Sequence, residues 1–271
     1  IEYTIIFNAT GLLNFSHDKL IMLGAYVFAG QFVVRMGAAP AVAVIATVAT
    51  MFLFGVLVAT GIFNPLRNMA SPVFAVIGTV ILGRILTESA RVIWGATPFT
   101  VPGFLKGIVK VGNIVIPKAN IAIILVSAII VTALQVFFKT TKMGKAMRAV
   151  SEDKGAAQLM GINVNHTISI TFAIGSALAA IAGVLLCSAY PVLLPTTGSM
   201  PGIKAFTAAV FGGIGSIPGA MIGGILLGII EIFGKAYIST QLSDAIVFSV
   251  LIIVLLVKPT GLLGKAVNEK V

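Results

Sequence analysis

Apolar residues gather in eight runs, at about 20–36, 41–63, 73–94, 119–138, 167–187, 203–217, 218–233 and 242–257, with polar residues mostly in the short stretches between. A bilayer core takes about 20 residues of helix. By length and polarity the runs 41–63, 119–138, 167–187 and 242–257 predict spanning helices. The runs 203–217 and 218–233 are short, rich in glycine and meet at Pro218. Two readings stay open for them: broken or re-entrant helices lining a path, or two short tilted spans. The pattern predicts an all-α, polytopic integral membrane protein with about seven or eight transmembrane or re-entrant helices, a single transmembrane domain over residues 1–271. The chain opens at Ile1 inside an apolar stretch, so a preceding segment with a further helix is expected.

The polar stretches carry the orientation. Residues 139–166 hold Lys139, Lys142, Lys145, Arg148 and Lys154, and such short basic loops stay in the cytoplasm. Alternation then places Arg67, Lys258, Lys265, Lys270 and Lys19 inside as well. The segment 95–118 falls outside, and its runs Gly107–Val111 and Ile114–Ile116 around Gly112-Asn113 predict a hairpin. That hairpin is either a platform for a soluble partner or an ordered surface loop.

Composition narrows the class. Hydrophobic residues make up 58% of the chain and charged residues 10%, against about 25% charged in ordinary soluble domains; mean hydropathy is +1.11. The net charge of +10 does not indicate nucleic-acid binding, because the cations sit between apolar runs where they orient helices and meet lipid headgroups. The single cysteine, Cys187, lies within an apolar run and reads as a packing residue. Gly215, Gly219 and Gly223, with Gly224 and Gly228, and Gly175, Ala179 and Gly183, recur every four residues. Small residues so spaced let helix backbones approach in lipid.

Charges within the runs are few, and each costs a few kcal/mol at membrane depth. Arg84, Glu88 and Arg91 share one helical face, either as a polar lining with an Arg84–Glu88 pair or as a helix end whose side chains snorkel outward. Glu231 precedes Lys235 by four residues, a spacing that favours a local pair; a solute-facing carboxylate is the other reading. Lys204 follows Pro201 and either marks a helix end or attracts a carboxylate-bearing solute. His17 and Asp18, after Asn14 and Phe15, read as a helix entry cap. His166 closes the basic loop and reads as solvated.

A phosphate-binding glycine loop is missing, as are metal-binding His/Cys spacings; no catalytic constellation and no metal site can be assembled. With only Glu88 and Glu231 as intramembrane acids, an ion-coupled carrier is disfavoured. A channel or secondary carrier independent of ATP remains the reading from another class.

Within the basic loop, Asp153 can cap a short helix from Lys154 to Met160, with Gly161 ending it in the left-handed conformation. Such a helix, carrying Ala156, Ala157, Leu159 and Met160, suits a groove in a cytoplasmic partner or a position flat on the headgroups. Its surroundings, Met143-Gly144-Lys145-Ala146-Met147-Arg148-Ala149, Glu152-Asp153, Ala156-Ala157 and Gly161-Ile162, resemble the cytoplasmic loop of ATP-binding-cassette permeases for branched-chain amino acids. The resemblance extends to Gly11-Leu12-Leu13-Asn14-Phe15-Ser16-His17, Leu23-Gly24-Ala25-Tyr26, Trp94-Gly95 with Pro98, and Gly202–Val210. It continues through Gly212–Ala220 and ends at Pro259-Thr260-Gly261. Two positions depart from it: after His17 the family has Gly and an acid where this chain has Asp18 and Lys19, and the family's Gly before that motif is Asn8 here.

The resemblance implies the permease fold of such importers, in a bacterial inner membrane. It implies a second permease subunit, two cytoplasmic subunits that bind ATP, a periplasmic binding protein, and no cofactor in this chain. By that likeness Arg148, Glu152, Asp153, Ala156, Ala157 and Gly161 form the surface that couples to the ATPases. Spans 73–94, 203–217 and 218–233 would line the path, with Arg84, Glu88, Lys204, Phe206 and Glu231 as candidate lining residues. Related permeases carrying urea, short amides or sugars remain alternatives for the cargo.

Overall fold

The computed structural model describes residues 1–67, 73–101, 103, 105, 107–111 and 114–264. The expected Gly112-Asn113 turn and the cytoplasmic Lys265 and Lys270 lie outside these described residues. Helix α1 (Glu2–Thr10) ends on Gly11 at φ +72°, and α2 (His17–Tyr26) continues as a π-helical stretch to Arg35. Next come α3 (Pro40–Val58), a π-helical turn Ala59–Phe63, the short α4 (Asn64–Arg67), and α5 (Val73–Trp94). After α6 (Lys118–Thr140), the two helices α7 (Lys142–Glu152) and α8 (Lys154–Leu159) precede α9 (Val164–Ala189). The chain closes with α10 (Ser199–Gly212), α11 (Ile217–Tyr237) and α12 (Ser243–Val257).

Among the described residues, five helical segments are long and apolar enough to cross a membrane: Pro40–Leu66, Val73–Trp94, Lys118–Thr140, Val164–Ala189 and Ile217–Tyr237. Two expectations need correction. The last run folds into only 15 residues of helix, α12, which span about 22 Å against a hydrocarbon core of about 30 Å. The run 218–233, expected to be short, belongs to the full-length α11 of 21 residues, while its neighbour α10 has 14. The division between them is made by Gly213 and Gly215, at φ +106° and +94°, which side chains with a Cβ rarely adopt. Pro218 sits in the first turn of α11, where its missing N–H costs nothing, and Ser216 caps that turn by accepting from Gly219 N at 3.1 Å.

Helix α9 is the centre of the bundle, packed by α1, α2 and α3. Small residues set the spacing: a Cβ on Gly183 would lie 2.5 Å from Ile21 O, and one on Gly55 2.6 Å from Phe172 O. Phe63 and Phe172 meet with their rings tilted at 45° and 4.5 Å apart, and Cys187 is buried among its neighbours.

Two small sheets mark one face of the bundle. Strand β1 (Phe99–Thr100) pairs with β4 (Val192–Leu193), and β2 (Ile108–Val111) pairs antiparallel with β3 (Ile114–Pro117) in the register expected of a hairpin. The β1–β4 pairing joins Phe99–Thr100 to Val192–Leu193 just after α9, β3 runs into the start of α6, and α6 and α9 lead from this face to the one where α7 and α8 lie. That opposition agrees with the alternation read from the basic loop.

Candidate functional site

The chain breaks its helical pairing inside the bundle between α1 and α2. Asn14 Oδ1 accepts from Ser16 N at 3.0 Å and from Ser16 Oγ at 2.7 Å, an Asx turn that offers the backbone a local alternative to helix. Phe15 N donates to Thr79 Oγ1 of α5 at 3.1 Å. Asn14 and Ser16 are buried, and the N–H groups of Phe15 and Ser16 freed by the break are matched by side chains, as irregular backbone at membrane depth requires.

His17 does not cap α2, contrary to expectation. It occupies the first helical position behind Ser16 and is buried. Its Nδ1 touches a carboxylate oxygen of Glu2, itself buried at the start of α1. The imidazole meets Tyr3 edge-on at 4.3 Å, and Tyr3 in turn meets Phe206 of α10 at 5.5 Å. Phe206 thus joins a polar and aromatic column linking α1, α2 and α10.

Lys19 is not at the inner surface. Its Nζ lies 2.6 Å from Asp18 Oδ2 and donates to Ser199 Oγ, the first residue of α10, at 2.7 Å. Gly198 and Gly202 permit this approach, since a Cβ on Gly202 would lie 2.2 Å from Asp18 Cβ. From Gly212 up to Ser199 is about 20 Å of helix, which sets this rung within the membrane. The sequence offered one signal for it, the charged pair Asp18-Lys19 where the resembling family has Gly and an acid.

The other expected residues divide. Lys204 and Glu231 come together at 2.8 Å across α10 and α11; Lys204 also meets Asp244 of α12 at 2.7 Å, and Lys235 meets Glu231 at 2.5 Å. The local Glu231–Lys235 pair is present, inside a larger clamp that ties three helices. The expected Arg84–Glu88 pair does not form. Glu88 turns to Arg91 at 3.0 Å, while Arg84 is exposed near the middle of α5 without a polar partner among the described residues. Glycine packing puts Arg84 at the depth of the rung, because a Cβ on the neighbouring Gly83 would lie 3.4 Å from Lys19 Cγ.

On the opposite face, α7 and α8 form the surface expected for coupling. Asp153 caps α8 by accepting from Ala156 N at 2.9 Å, and Gly161 follows at φ +82°. Ala157 is buried, whereas Leu159 and Met160 stand 90% and 83% exposed. Arg148, Glu152 and Ala156 are exposed beside them. Arg148 and Glu152 share a hollow of about 550 Å³ with Asn8 of α1 and with Gly215 and Ser216 before α11. Two hydrogen bonds tie α1 to this surface: Lys154 Nζ to Thr10 O at 2.5 Å, and Asn8 Nδ2 to Gly215 O at 2.8 Å.

A bundle of spanning helices with a charged rung at a backbone break, and an apolar helix displayed on the opposite face, defines a polytopic membrane transport protein. Residues 2–255 match the family model described as the permease component of branched-chain amino acid transport systems, and the chain belongs to that family. It is 40% identical to the high-affinity branched-chain amino acid transport system permease protein BraD of Pseudomonas aeruginosa, over 100% of this chain and 92% of that protein. It is 38% identical to LivH of Escherichia coli K12 over the same shares. The fructose import permease FrcC of Rhizobium meliloti is 27% identical over 78% of this chain and 60% of its own length. No solved structure matches.

Proposed function

We propose that this chain is the membrane path of an ATP-driven importer of branched-chain amino acids, a transporter subunit with no catalytic activity of its own. It would work in a bacterial inner membrane beside a second permease subunit, with two cytoplasmic ATP-binding subunits and a periplasmic binding protein. Support for the cargo comes from the relatives that cover this chain end to end, whose names specify branched-chain amino acids. The single observation that supports coupling is α8, whose fold is fixed by the Asp153 cap and buried Ala157 while Leu159 and Met160 project uncovered. Burying two such side chains in a partner's groove contributes about 1.5–3 kcal/mol each.

Changing Leu159 and Met160 together to Asp is therefore expected to leave the chain folded and inserted, and to lower ATP-dependent leucine uptake by vesicles holding the whole complex at least about tenfold, the equivalent of 1.4 kcal/mol. Unchanged uptake in that variant would remove α8 from coupling. Uptake indifferent to ATP in the unaltered complex would favour a channel or carrier, and ATP-driven uptake of a sugar in place of leucine would discard the cargo alone.

A further inference from the structure

The rung formed by Asp18, Lys19 and Ser199 carries an inference about how the solute is held, and it rests on the amino-acid import reading above. Charges at membrane depth are expensive and are retained where they serve a path. Here an ammonium, a carboxylate and a hydroxyl stand side by side, linked at 2.6 and 2.7 Å. Neither ionic side chain is sealed, since each retains 18% of its surface. Asp18 Oδ1 is buried and makes no hydrogen bond among the described residues, an acceptor left unused at a cost of about 1–3 kcal/mol. Exposed apolar side chains neighbour the rung along the chain: Phe15 just before α2, and Met200 and Ile203 in the first turns of α10, each 42–48% exposed.

The geometry points to a station for a zwitterion, in which Lys19 Nζ and Ser199 Oγ receive the solute carboxylate and Asp18 receives its ammonium, with the branched side chain against Phe15, Met200 and Ile203. The exchange is balanced. The internal pair Asp18–Lys19 opens, each partner takes the opposite charge of the solute, and no uncompensated charge is left at membrane depth. A small rotation of the Asp18 carboxyl group brings its unused oxygen to the ammonium. Because the internal pair re-forms when the solute departs, it offsets part of the binding free energy and favours release, which conduction through successive sites requires. A solute with only one charge leaves either Lys19 or Asp18 unmatched and is rejected.

The test places a thiol beside the rung, Thr196→Cys, at the exposed residue whose carbonyl accepts from Ser199 N, in the assembled complex in vesicles; Cys187, the chain's single cysteine, is buried and does not compete. The rate of modification by a charged thiol reagent is measured with L-leucine, with 4-methylpentanoate and with 4-methylpentylamine. L-leucine is expected to slow modification while the two single-charge analogues do not. Lys19→Met is expected to abolish that protection and lower leucine uptake about tenfold, the size of one lost hydrogen bond to a charged group, whereas Lys19→Arg retains both. Equal protection by an analogue, or none by L-leucine in vesicles that do accumulate leucine, overturns the station. Protection by L-leucine in vesicles that accumulate none keeps the station and overturns the import reading.

Discussion

Replacing His17 by Ala is expected to destabilise the protein by about 1–3 kcal/mol, the cost of leaving the buried Glu2 carboxyl without the side chain that touches it. Glu2 is 4% exposed and His17 5%, so water cannot replace the missing partner. The alanine also leaves a void beneath Tyr3, which packs on the imidazole. Glu2→Gln with His17→Gln in the same chain is expected to cost less than His17→Ala by itself, because amides tolerate burial without a counter-charge. Detergent-solubilised protein titrated with denaturing surfactant reports the midpoints. A His17→Ala midpoint equal to that of the unaltered chain would show that the contact adds nothing.

The second large effect concerns the seam between α10 and α11. A Cβ on Gly223 would lie 2.4 Å from Ala208 O, and one on Gly212 would lie 1.9 Å from Gly219 O. The obstructing atoms are backbone on both sides, so the helices must separate. Gly223→Val is therefore expected to cost at least about 1–3 kcal/mol, the ordinary penalty of overpacking, and to reduce the yield of folded protein. Gly228, on the same helix, has nothing within 4 Å of its Cβ position, and Gly228→Val should be tolerated in the isolated subunit. If both variants fold equally well, the seam is not held by close backbone approach.

The contrast between these two glycines shows where the sequence stopped being informative. Four-residue spacing placed Gly219, Gly223, Gly224 and Gly228 on α11 together, but spacing cannot say which of its faces meets α10. The same spacing ran through the turn at Gly213–Ser216 and hid the end of α10 at Gly212, because glycine serves close packing and positive φ alike. Local chemistry was legible. The Asp153 cap, the Gly161 stop and the 108–117 hairpin all act within a few residues of themselves. So was the Glu231–Lys235 pair, although Lys204 and Asp244, far apart in the chain, complete the clamp. Of the two readings for Arg84, the pair with Glu88 does not form, because Glu88 has two cationic neighbours on its face and takes Arg91, three residues on. The rung escaped altogether: nothing in the order Asn14-Phe15-Ser16-His17-Asp18-Lys19 announces that Ser199 lies beside it.

Helix α1 has an implication for how work travels through the molecule. One end is fastened to α8 through Lys154 and Thr10 O, and the other touches His17, one residue before Asp18 and two before Lys19. Its nine residues make a stiff strut of about 13 Å. A coupling loop that is displaced must therefore drag the strut with it or release Thr10. Were the loop to move α1 in this way, the displacement would reach His17 and the rung beside it, with α1 sliding on α9, α7 and α10, against which it packs.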